Sequence, residues 1–185
     1  MLDAVSESKA PAGSQPTRSL AQTRRVAAID IGTNSTHLLV ASVDTTLGTF
    51  SIEQAEKSTT RLGERDPDSG ELTSAGMQRG YETLRRFRDL AISHDVEQIV
   101  TAATSAVREA PNGREFLQSI QDGLGMDVDL VSGPEEARLI YLGVLSGMSF
   151  GDRPHLLLDI GGGATALILA DGRCARARTR TRVGA

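Results

Sequence analysis

The chain has 185 residues, of which 39% are hydrophobic, and a formal net charge of −4, as expected for one domain or two small ones. No apolar stretch approaches the roughly 20 residues that a membrane-spanning helix needs, so the sequence excludes a spanning protein. The single cysteine, Cys174, excludes an internal disulfide framework and favours a reducing, cytoplasmic location.

The predicted elements alternate between strands and helices. Residues 1–24 are small and polar and predict a disordered leader. Apolar runs predict strands at 26–31, 36–44, 48–58, 96–104, 126–132, 155–160 and 165–172. Helical spacing predicts helices at 74–93, capped by Thr73, and at 113–122 and 134–147, with loops at 59–72 and 105–112. This order predicts an α/β fold with a mixed sheet, whose first three strands form an antiparallel meander.

Positive charge is concentrated at the C-terminal end of the chain. Residues 173–185 hold five arginines and no acidic residue, whereas residues 1–172 hold all 24 acidic residues. A basic segment can contact nucleic acid or another polyanion, but a solvated tail is the interpretation we favour. Aromatic residues, which stack on bases, make up only 3% of the chain. We therefore expect neither a nucleic-acid nor a membrane partner.

Two segments of the sequence repeat one another. Residues 27–41 (AAIDIGTNSTHLLVA) match residues 156–170 (LLLDIGGGATALILA) at a constant offset of 129 residues. Both segments are typical of a strand, a turn and a second strand. We therefore predict two related lobes, each opening with a β-hairpin whose turn carries Asp and Gly.

Hairpin turns of this composition suit the binding of phosphate. Glycine has no Cβ, so backbone N–H groups can approach an anion closely. An aspartate at the end of the preceding strand can hold a hydrated Mg²⁺ ion. Two such turns facing each other would hold a chain of phosphates across a cleft. The alternative is two ordinary hairpins with solvated aspartates. The duplication of the turn favours phosphate binding over this alternative.

Four segments resemble one family and occur in that family's order: DIGTNSTHLLVA, TAATSAVREA, SGPEEARLIYLGV and LLLDIGGGAT. The family is that of exopolyphosphatases and guanosine pentaphosphate phosphohydrolases, which have the actin-like, sugar kinase and heat-shock chaperone superfold (ribonuclease H-like). The resemblance implies a first lobe over residues 25–125. Because family members continue well beyond this length, it implies an incomplete second lobe over residues 126–185.

The resemblance also implies an activity. Members of the family remove the terminal phosphate from inorganic polyphosphate, or the 5′ γ-phosphate from guanosine pentaphosphate, with Mg²⁺ as cofactor and a carboxylate that activates water. By its position in the SGPEEARL block, Glu135 is the implied base, and Glu136 is the second choice. Arg108 is the implied arginine that binds phosphate oxygens. Without the resemblance, the two glutamates would be explained as acids that complement the dipole of their helix.

The two turns supply the implied phosphate-binding residues, and the aspartates before them supply the implied metal ligands. The first turn consists of Gly32, Thr33, Asn34 and Ser35, and the second contains Gly161, Gly162 and Gly163. Asp159 is the leading candidate for a metal ligand and Asp30 is the second. Arg61 resembles a residue of the family's loop after the third strand and is a further phosphate-binding candidate, whereas His37 is expected to be structural.

The second turn departs from the family pattern. The family usually has DIGGGSTE there, whereas this chain has Ala164 at the hydroxyl position and Ala166 at the carboxylate position. Alanine supplies no metal ligand. The main alternative to an enzyme is therefore a catalytically disabled relative that binds polyphosphate or the alarmone.

Two further alternatives follow from the resemblance. A kinase of sugars or acetate is the third functional class, and it is disfavoured because its adenosine site lies in the part of the second lobe that this chain lacks. Among hydrolases, an exopolyphosphatase is preferred because nothing in the sequence indicates recognition of guanine. Family members often form dimers, so a homodimer is an alternative to a monomer.

Overall fold

The computed structural model describes residues 23–181, so most of the predicted leader lies outside the described residues. Within this range the strands are β1 (Thr23–Ile31), β2 (Ser35–Asp44), β3 (Thr49–Thr59), β4 (Gln98–Ala103), β5 (Asp129–Leu130), β6 (His155–Ile160), β7 (Thr165–Ala170) and β8 (Ala175–Thr181). The helices are α1 (Ser74–Ser93), α2 (Ser105–Arg108), α3 (Gly113–Leu124) and α4 (Gly133–Gly147). Thr23 and Arg24, which we assigned to the leader, begin β1.

The first sheet contains five strands in the order β3-β2-β1-β4-β5. Strands β1, β2 and β3 pair antiparallel, which confirms the predicted meander, and β4 and β5 pair parallel to β1 and β4. A parallel pair needs a long crossover, and α1 lies in the crossover between β1 and β4. The predicted mixed α/β sheet is therefore confirmed.

The core of the first lobe lies between this sheet and the helices α1 and α3. Phe87 of α1 and Phe116 of α3 are among its largest fully buried side chains, and such burial is the main stabilising term for an amphipathic helix. The predicted cap of α1 is also found, because the Thr73 hydroxyl accepts a hydrogen bond from Gly76 N at 3.1 Å. This packing fixes the carboxyl ends of β1 and β4, where the site begins.

The boundary between the lobes differs from the prediction. We predicted a strand at 126–132 in the second lobe, but β5 has only two residues and pairs with β4 of the first sheet. Met126 and Val128 also pack into the core of the first lobe. The chain order alone does not show this, because a parallel pairing partner is distant in sequence. The first lobe therefore extends beyond residue 125.

The second sheet contains β6, β7 and β8, and α4 packs on one of its faces. Tyr141 of α4 is buried against this sheet, and its hydroxyl donates to the Asp171 carbonyl at 2.9 Å. Among residues 23–181, nothing covers the opposite face, where Leu156, Leu158 and Ile160 of β6 are 65%, 57% and 60% exposed. None of the helices in the described range is long and apolar enough to cross a membrane.

Asp171 holds the turn between β7 and β8. We predict that acid weakens this turn. Asp171 is buried and accepts hydrogen bonds from Cys174 N, Arg173 N and the Arg176 side chain, which lower its pKa to about 2 from 3.8. An ionised Asp171 stabilises the folded state at every pH above its unfolded pKa of 3.8. This stabilisation is lost as the pH falls from 3.8 to the folded pKa of about 2.

We therefore expect the D171N variant to unfold at a lower urea concentration at neutral pH. Its unfolding midpoint should also change less than that of the wild type between pH 4 and 2. The matched control is D152N, because Asp152 pairs with Arg173 on the surface and is 84% exposed. Identical urea midpoints for D171N and D152N at neutral pH would contradict the prediction.

Candidate functional site

The two repeated segments form equivalent hairpins. In the first hairpin, Ile31 pairs with Thr36, and Gly32 N donates to Ser35 O at 3.1 Å. In the second hairpin, Ile160 pairs with Thr165, and Gly161 N donates to Ala164 O at 2.9 Å. Every partner in the second hairpin lies 129 residues after its counterpart in the first. The repeat seen in the sequence is therefore a repeat of structure.

The two turns lie against each other. Thr33 Oγ1 of the first turn is 3.1 Å from Ser105 Oγ of α2, and Gly163 of the second turn lies next to both hydroxyls. A Cβ atom on Gly163 would be 2.8 Å from each of these oxygens, and one on Gly162 would be 2.6 Å from Asn34 Nδ2. Glycine is therefore required for this approach.

Ser105 is a residue of this contact that the sequence analysis missed. It is buried, and it lies in the TSAVREA segment that drew attention only to Arg108. The segment was predicted as a loop, whereas it forms the short helix α2, which follows directly from the end of β4. A hydroxyl residue in the same motif as a candidate phosphate-binding arginine is the signal that would have found it.

Two carboxylates lie within electrostatic range of a third, that of Asp30. Asp30 lies near the end of β1, Asp159 near the end of β6, and Glu136 in the first turn of α4. Desolvation raises the pKa of the Asp30 carboxyl; the nearby His37 opposes this rise, and the negative charges of Glu136 and Asp159 add to it. Such a concentration of negative charge favours a bound cation or a proton.

Arg108 lies beside this group and holds Glu136. Its Nη1 donates to the Val131 carbonyl at 2.6 Å, and Nη1 and Nη2 each lie 3.3 Å from Glu136 Oε2. The two side chains are only 20% and 24% exposed. The guanidinium therefore connects α2 to the start of α4, across the boundary between the two sheets.

Glu135 does not share this environment. Its carboxylate is bound on both oxygens by Arg138, through Nε and Nη2 at 2.8 Å each, on an exposed part of α4. Consecutive helical residues point about 100° apart, so the two adjacent glutamates point in different directions and meet different arginines. The structure brings Glu136 to Asp30, Asp159 and Arg108, and it does not bring Glu135, which the family motif had implied.

Two cavities adjoin the turns. The first, which we call the carboxylate cavity, has a volume of about 500 Å³, and its lining includes Glu136, Asp159, Ala164, Ala166, Arg176 and Thr179. The second, the loop cavity, has about 490 Å³ and is lined by Thr33, Asn34, Thr59, Arg61, Gly63, Glu64 and Gly162. The structure therefore places Arg61 beside the first turn. The Arg61 backbone there has a φ of 47° and is held by a hydrogen bond from Arg61 N to Asn34 O at 2.9 Å.

The residues present fit a hydrated Mg²⁺ ion better than a closed metal cage. No cluster of three or more metal-binding side chains occurs among residues 23–181. Magnesium usually keeps several waters and binds through one or two carboxylates together with substrate phosphates. Asp30 and Asp159 could supply those carboxylates, and a cation would offset the negative charge that Glu136 and Asp159 place near Asp30. Ala166 adds no ligand.

The contact between the turns predicts a strong effect of a single methyl group. We expect Gly163→Ala to separate the turns, because its Cβ would lie 2.8 Å from Thr33 Oγ1 and Ser105 Oγ. Overpacking of this kind costs about 1–3 kcal/mol, and we expect tripolyphosphate binding to weaken with it. Urea unfolding and calorimetric titration measure the two effects.

The matched control for this change is Gly143→Ala, on the exposed side of α4. No atom lies within 4 Å of a Cβ built there, so alanine should raise the free energy of unfolding by about 0.5–1 kcal/mol. Equal tripolyphosphate binding by the Gly163→Ala and Gly143→Ala variants would show that binding does not depend on the contact between the two turns.

The five-stranded mixed sheet and the helices packed on it define a protein of the α/β class, as the sequence predicted. Within that class, the chain belongs to the Ppx/GppA phosphatase family, whose sequence model matches residues 39–185.

Comparisons with known proteins agree with this assignment. The chain is 36% identical over 158 residues to a guanosine-5'-triphosphate,3'-diphosphate pyrophosphatase of Photobacterium profundum, a match that covers 85% of this chain and 31% of that protein. An exopolyphosphatase from Cytophaga hutchinsonii superimposes with a TM-score of 0.81 and 30% identity, over 87% of this chain and 51% of the other. The Aquifex aeolicus family member gives a TM-score of 0.76 and 28% identity, over 88% and 52%. The chain thus spans about a third of the curated relative and half of each solved structure.

Proposed function

We propose that the chain carries the phosphate-binding and catalytic cleft of a Mg²⁺-dependent phosphohydrolase, which removes the terminal phosphate from inorganic polyphosphate or guanosine pentaphosphate. One observation carries the proposal: the pair formed by Arg108 and Glu136 lies where the two glycine turns meet two aspartates. The names of the pyrophosphatase and exopolyphosphatase relatives support the same reaction class.

In this proposal Glu136 is the general base. A base must reach a water molecule that attacks the terminal phosphorus. Glu136 lines the carboxylate cavity together with Asp159 and is half-buried. Glu135 is instead held on both oxygens by Arg138.

Arg108 has a second part in the same step. Phosphate oxygens are strong partners for a guanidinium, which can bind two of them at once. A bound phosphate would therefore compete with Glu136 for Arg108 and release the carboxylate to accept a proton from water. A Mg²⁺ ion held by Asp30 and Asp159 would offset negative charge on the phosphate. The backbone N–H groups of the two turns would hold the remaining oxygens.

The choice of substrate favours polyphosphate. Neither the carboxylate cavity nor the loop cavity includes an aromatic side chain in its described lining, so neither offers a stacking surface for guanine. The second candidate function, a disabled relative that binds without hydrolysis, is favoured by Ala164 and Ala166, which leave the carboxylate cavity short of ligands.

The deciding experiment measures phosphate release from long-chain polyphosphate and from guanosine pentaphosphate, with Mg²⁺ and with EDTA. Release that depends on Mg²⁺ supports the hydrolase. Calorimetric binding without release supports the disabled relative, and neither binding nor release at low salt contradicts both.

Restoring the missing carboxylate is a direct test of the metal site. Ala166 lies opposite Asp159 in the β6–β7 pairing and lines the carboxylate cavity, so Glu at this position would add a carboxylate next to Asp159. We expect Ala166→Glu to bind Mg²⁺ about tenfold more tightly than the wild type, because the number of charged oxygen ligands sets the affinity of a site for the cation. Calorimetric titration with Mg²⁺ measures the change. Ala164→Ser, which adds only a hydroxyl, is the control. Equal Mg²⁺ affinity in Ala166→Glu and the wild type would mean that no Mg²⁺ ion binds within reach of residue 166.

A further inference from the structure

One basic side chain of the carboxylate cavity, that of Arg176, has no part in the proposed mechanism. Arg176, at the start of β8, lines this cavity together with Glu136, Asp159 and Thr179. Among the described residues of the lining it is the one basic side chain. Its side chain is 59% exposed, so solvent and solutes reach it.

The guanidinium of Arg176 is fixed in place. Its Nε and Nη2 donate to Asp171 Oδ2 at 2.6 and 2.5 Å. Asp171 is itself held by hydrogen bonds from Arg173 N at 2.8 Å and Cys174 N at 2.9 Å. An arginine has five N–H donors in a rigid fork, so this anchor leaves donors for a further acceptor. Fixing a side chain before a ligand arrives lowers the entropic cost of binding it.

The rest of the cavity wall gives room for an anion near this guanidinium. Ala164 and Ala166 stand where longer polar side chains would fill the space, and Ala175 continues the wall of small residues. The volume of about 500 Å³ accommodates more than the one phosphate that Arg108 and the turns would hold. The carboxylates of Glu136 and Asp159 line the same cavity and repel anions. An anion that enters the cavity would therefore bind beside the positive charge of Arg176.

We infer that Arg176 binds an internal phosphate group of the substrate, one that follows the terminal phosphate along the chain. The chain of phosphates would then run from the two hairpin turns, past Ala164 and Ala166, to Arg176 in β8. This inference rests on the proposed function, because it assumes that the terminal phosphate lies at Arg108. It assigns a separate task to a residue outside the two repeated hairpins. It also explains how a substrate can be held where Ala166 provides no ligand.

The test compares ligands of different length on the full chain. Tripolyphosphate and orthophosphate are titrated calorimetrically, with Mg²⁺, into the wild type, Arg176→Gln and Arg173→Gln. Arg173 is the matched control, since it lies in the same turn and carries the same charge but pairs with Asp152 on the surface, where it is 79% exposed. We expect Arg176→Gln to weaken tripolyphosphate binding about tenfold, as for loss of one charge-assisted contact, and to leave orthophosphate binding unchanged. Arg173→Gln should change neither.

Each other result has a definite meaning. Equal weakening by Arg176→Gln and Arg173→Gln would indicate a general charge effect and overturn the inference, while the proposed function would stand. Equal weakening of both ligands by Arg176→Gln would place its contact at the terminal phosphate and also overturn it. A wild type that binds neither ligand would refute the proposed function and the inference with it.

Arg176→Lys provides a variant that keeps the charge and is less disruptive to Asp171. An ammonium group keeps the charge but lacks the rigid fork with which a guanidinium binds a carboxylate through two nitrogens and still offers donors to a phosphate. We expect Arg176→Lys to bind tripolyphosphate with an affinity between those of Arg176→Gln and the wild type. Thermal unfolding of all variants shows whether the fold is kept, and wild-type affinity in a folded Arg176→Lys would contradict the bridging geometry.

Discussion

Replacing Glu136 with glutamine is expected to abolish measurable phosphate release while polyphosphate binding is retained. Glutamine keeps the shape of the side chain but cannot accept the proton of an attacking water, and a positioned base contributes about 10²–10⁴-fold to such a reaction. Binding should be as tight as in the wild type or tighter, because Arg108, now 3.3 Å from the Glu136 carboxylate, would no longer be paired with a negative charge.

The matched control is Glu135→Gln, one residue earlier in α4. This change removes the same charge from the helix, but the carboxylate that it removes is bound by Arg138 at 2.8 Å. We expect its rate of phosphate release to stay close to that of the wild type. Steady-state rates with Mg²⁺ measure both variants. Loss of release in Glu135→Gln with full release in Glu136→Gln would reverse the assignment of the base.

A second readout separates the charge of Glu136 from its chemistry. The negative charge of Glu136 helps to raise the pKa of Asp30, so Glu136→Gln should lower that pKa. Titration of the Asp30 carboxyl by NMR would show the change. A pKa of Asp30 that did not move would mean that the two carboxylates do not face each other in solution.

The parts of the fold that carry a local signal were predicted from the sequence, and the parts that depend on distant pairing were not. The two hairpins were found because each strand is apolar and the offset between the copies is constant. β8 was missed because its arginines alternate with small residues rather than with apolar ones, and alternation with apolar residues is the pattern that predicts a half-buried strand. β5 was assigned to the wrong lobe because its partner, β4, is joined to it by a crossover.

The candidate site shows the same division. The motif singled out both Glu135 and Glu136, and their order in the sequence does not reveal which one faces the cleft. That depends on the direction of α4, which Ser132 caps by accepting a hydrogen bond from Glu135 N, and on which arginine each glutamate meets. Arg138 lies three residues after Glu135 on the same helix, whereas Arg108 comes from α2. Only the packing of the two elements decides between them.

Arg108→Lys is the second change for which we expect a large effect. Arg108 donates to the Val131 carbonyl at 2.6 Å while its fork also reaches Glu136, and a lysine lacks the planar fork that binds two oxygens of one group at once. An arginine that stabilises charge on a transferring phosphoryl group contributes about 10³–10⁵-fold to the rate. We therefore expect phosphate release to fall by at least about 10³-fold, with the loss mainly in kcat, because the lysine charge still attracts the substrate.

The control for Arg108→Lys is Arg138→Lys, which alters the equivalent ion pair of Glu135 on the exposed side of α4, where the Arg138 side chain is 51% exposed. Exposed ion pairs contribute about 0–1 kcal/mol, so Arg138→Lys should leave both kcat and the urea midpoint close to wild type. If Arg108→Lys kept the wild-type kcat, the guanidinium would serve only to join α2 to α4. Its loss would then appear in the urea midpoint alone, since the Val131 carbonyl would lose its donor.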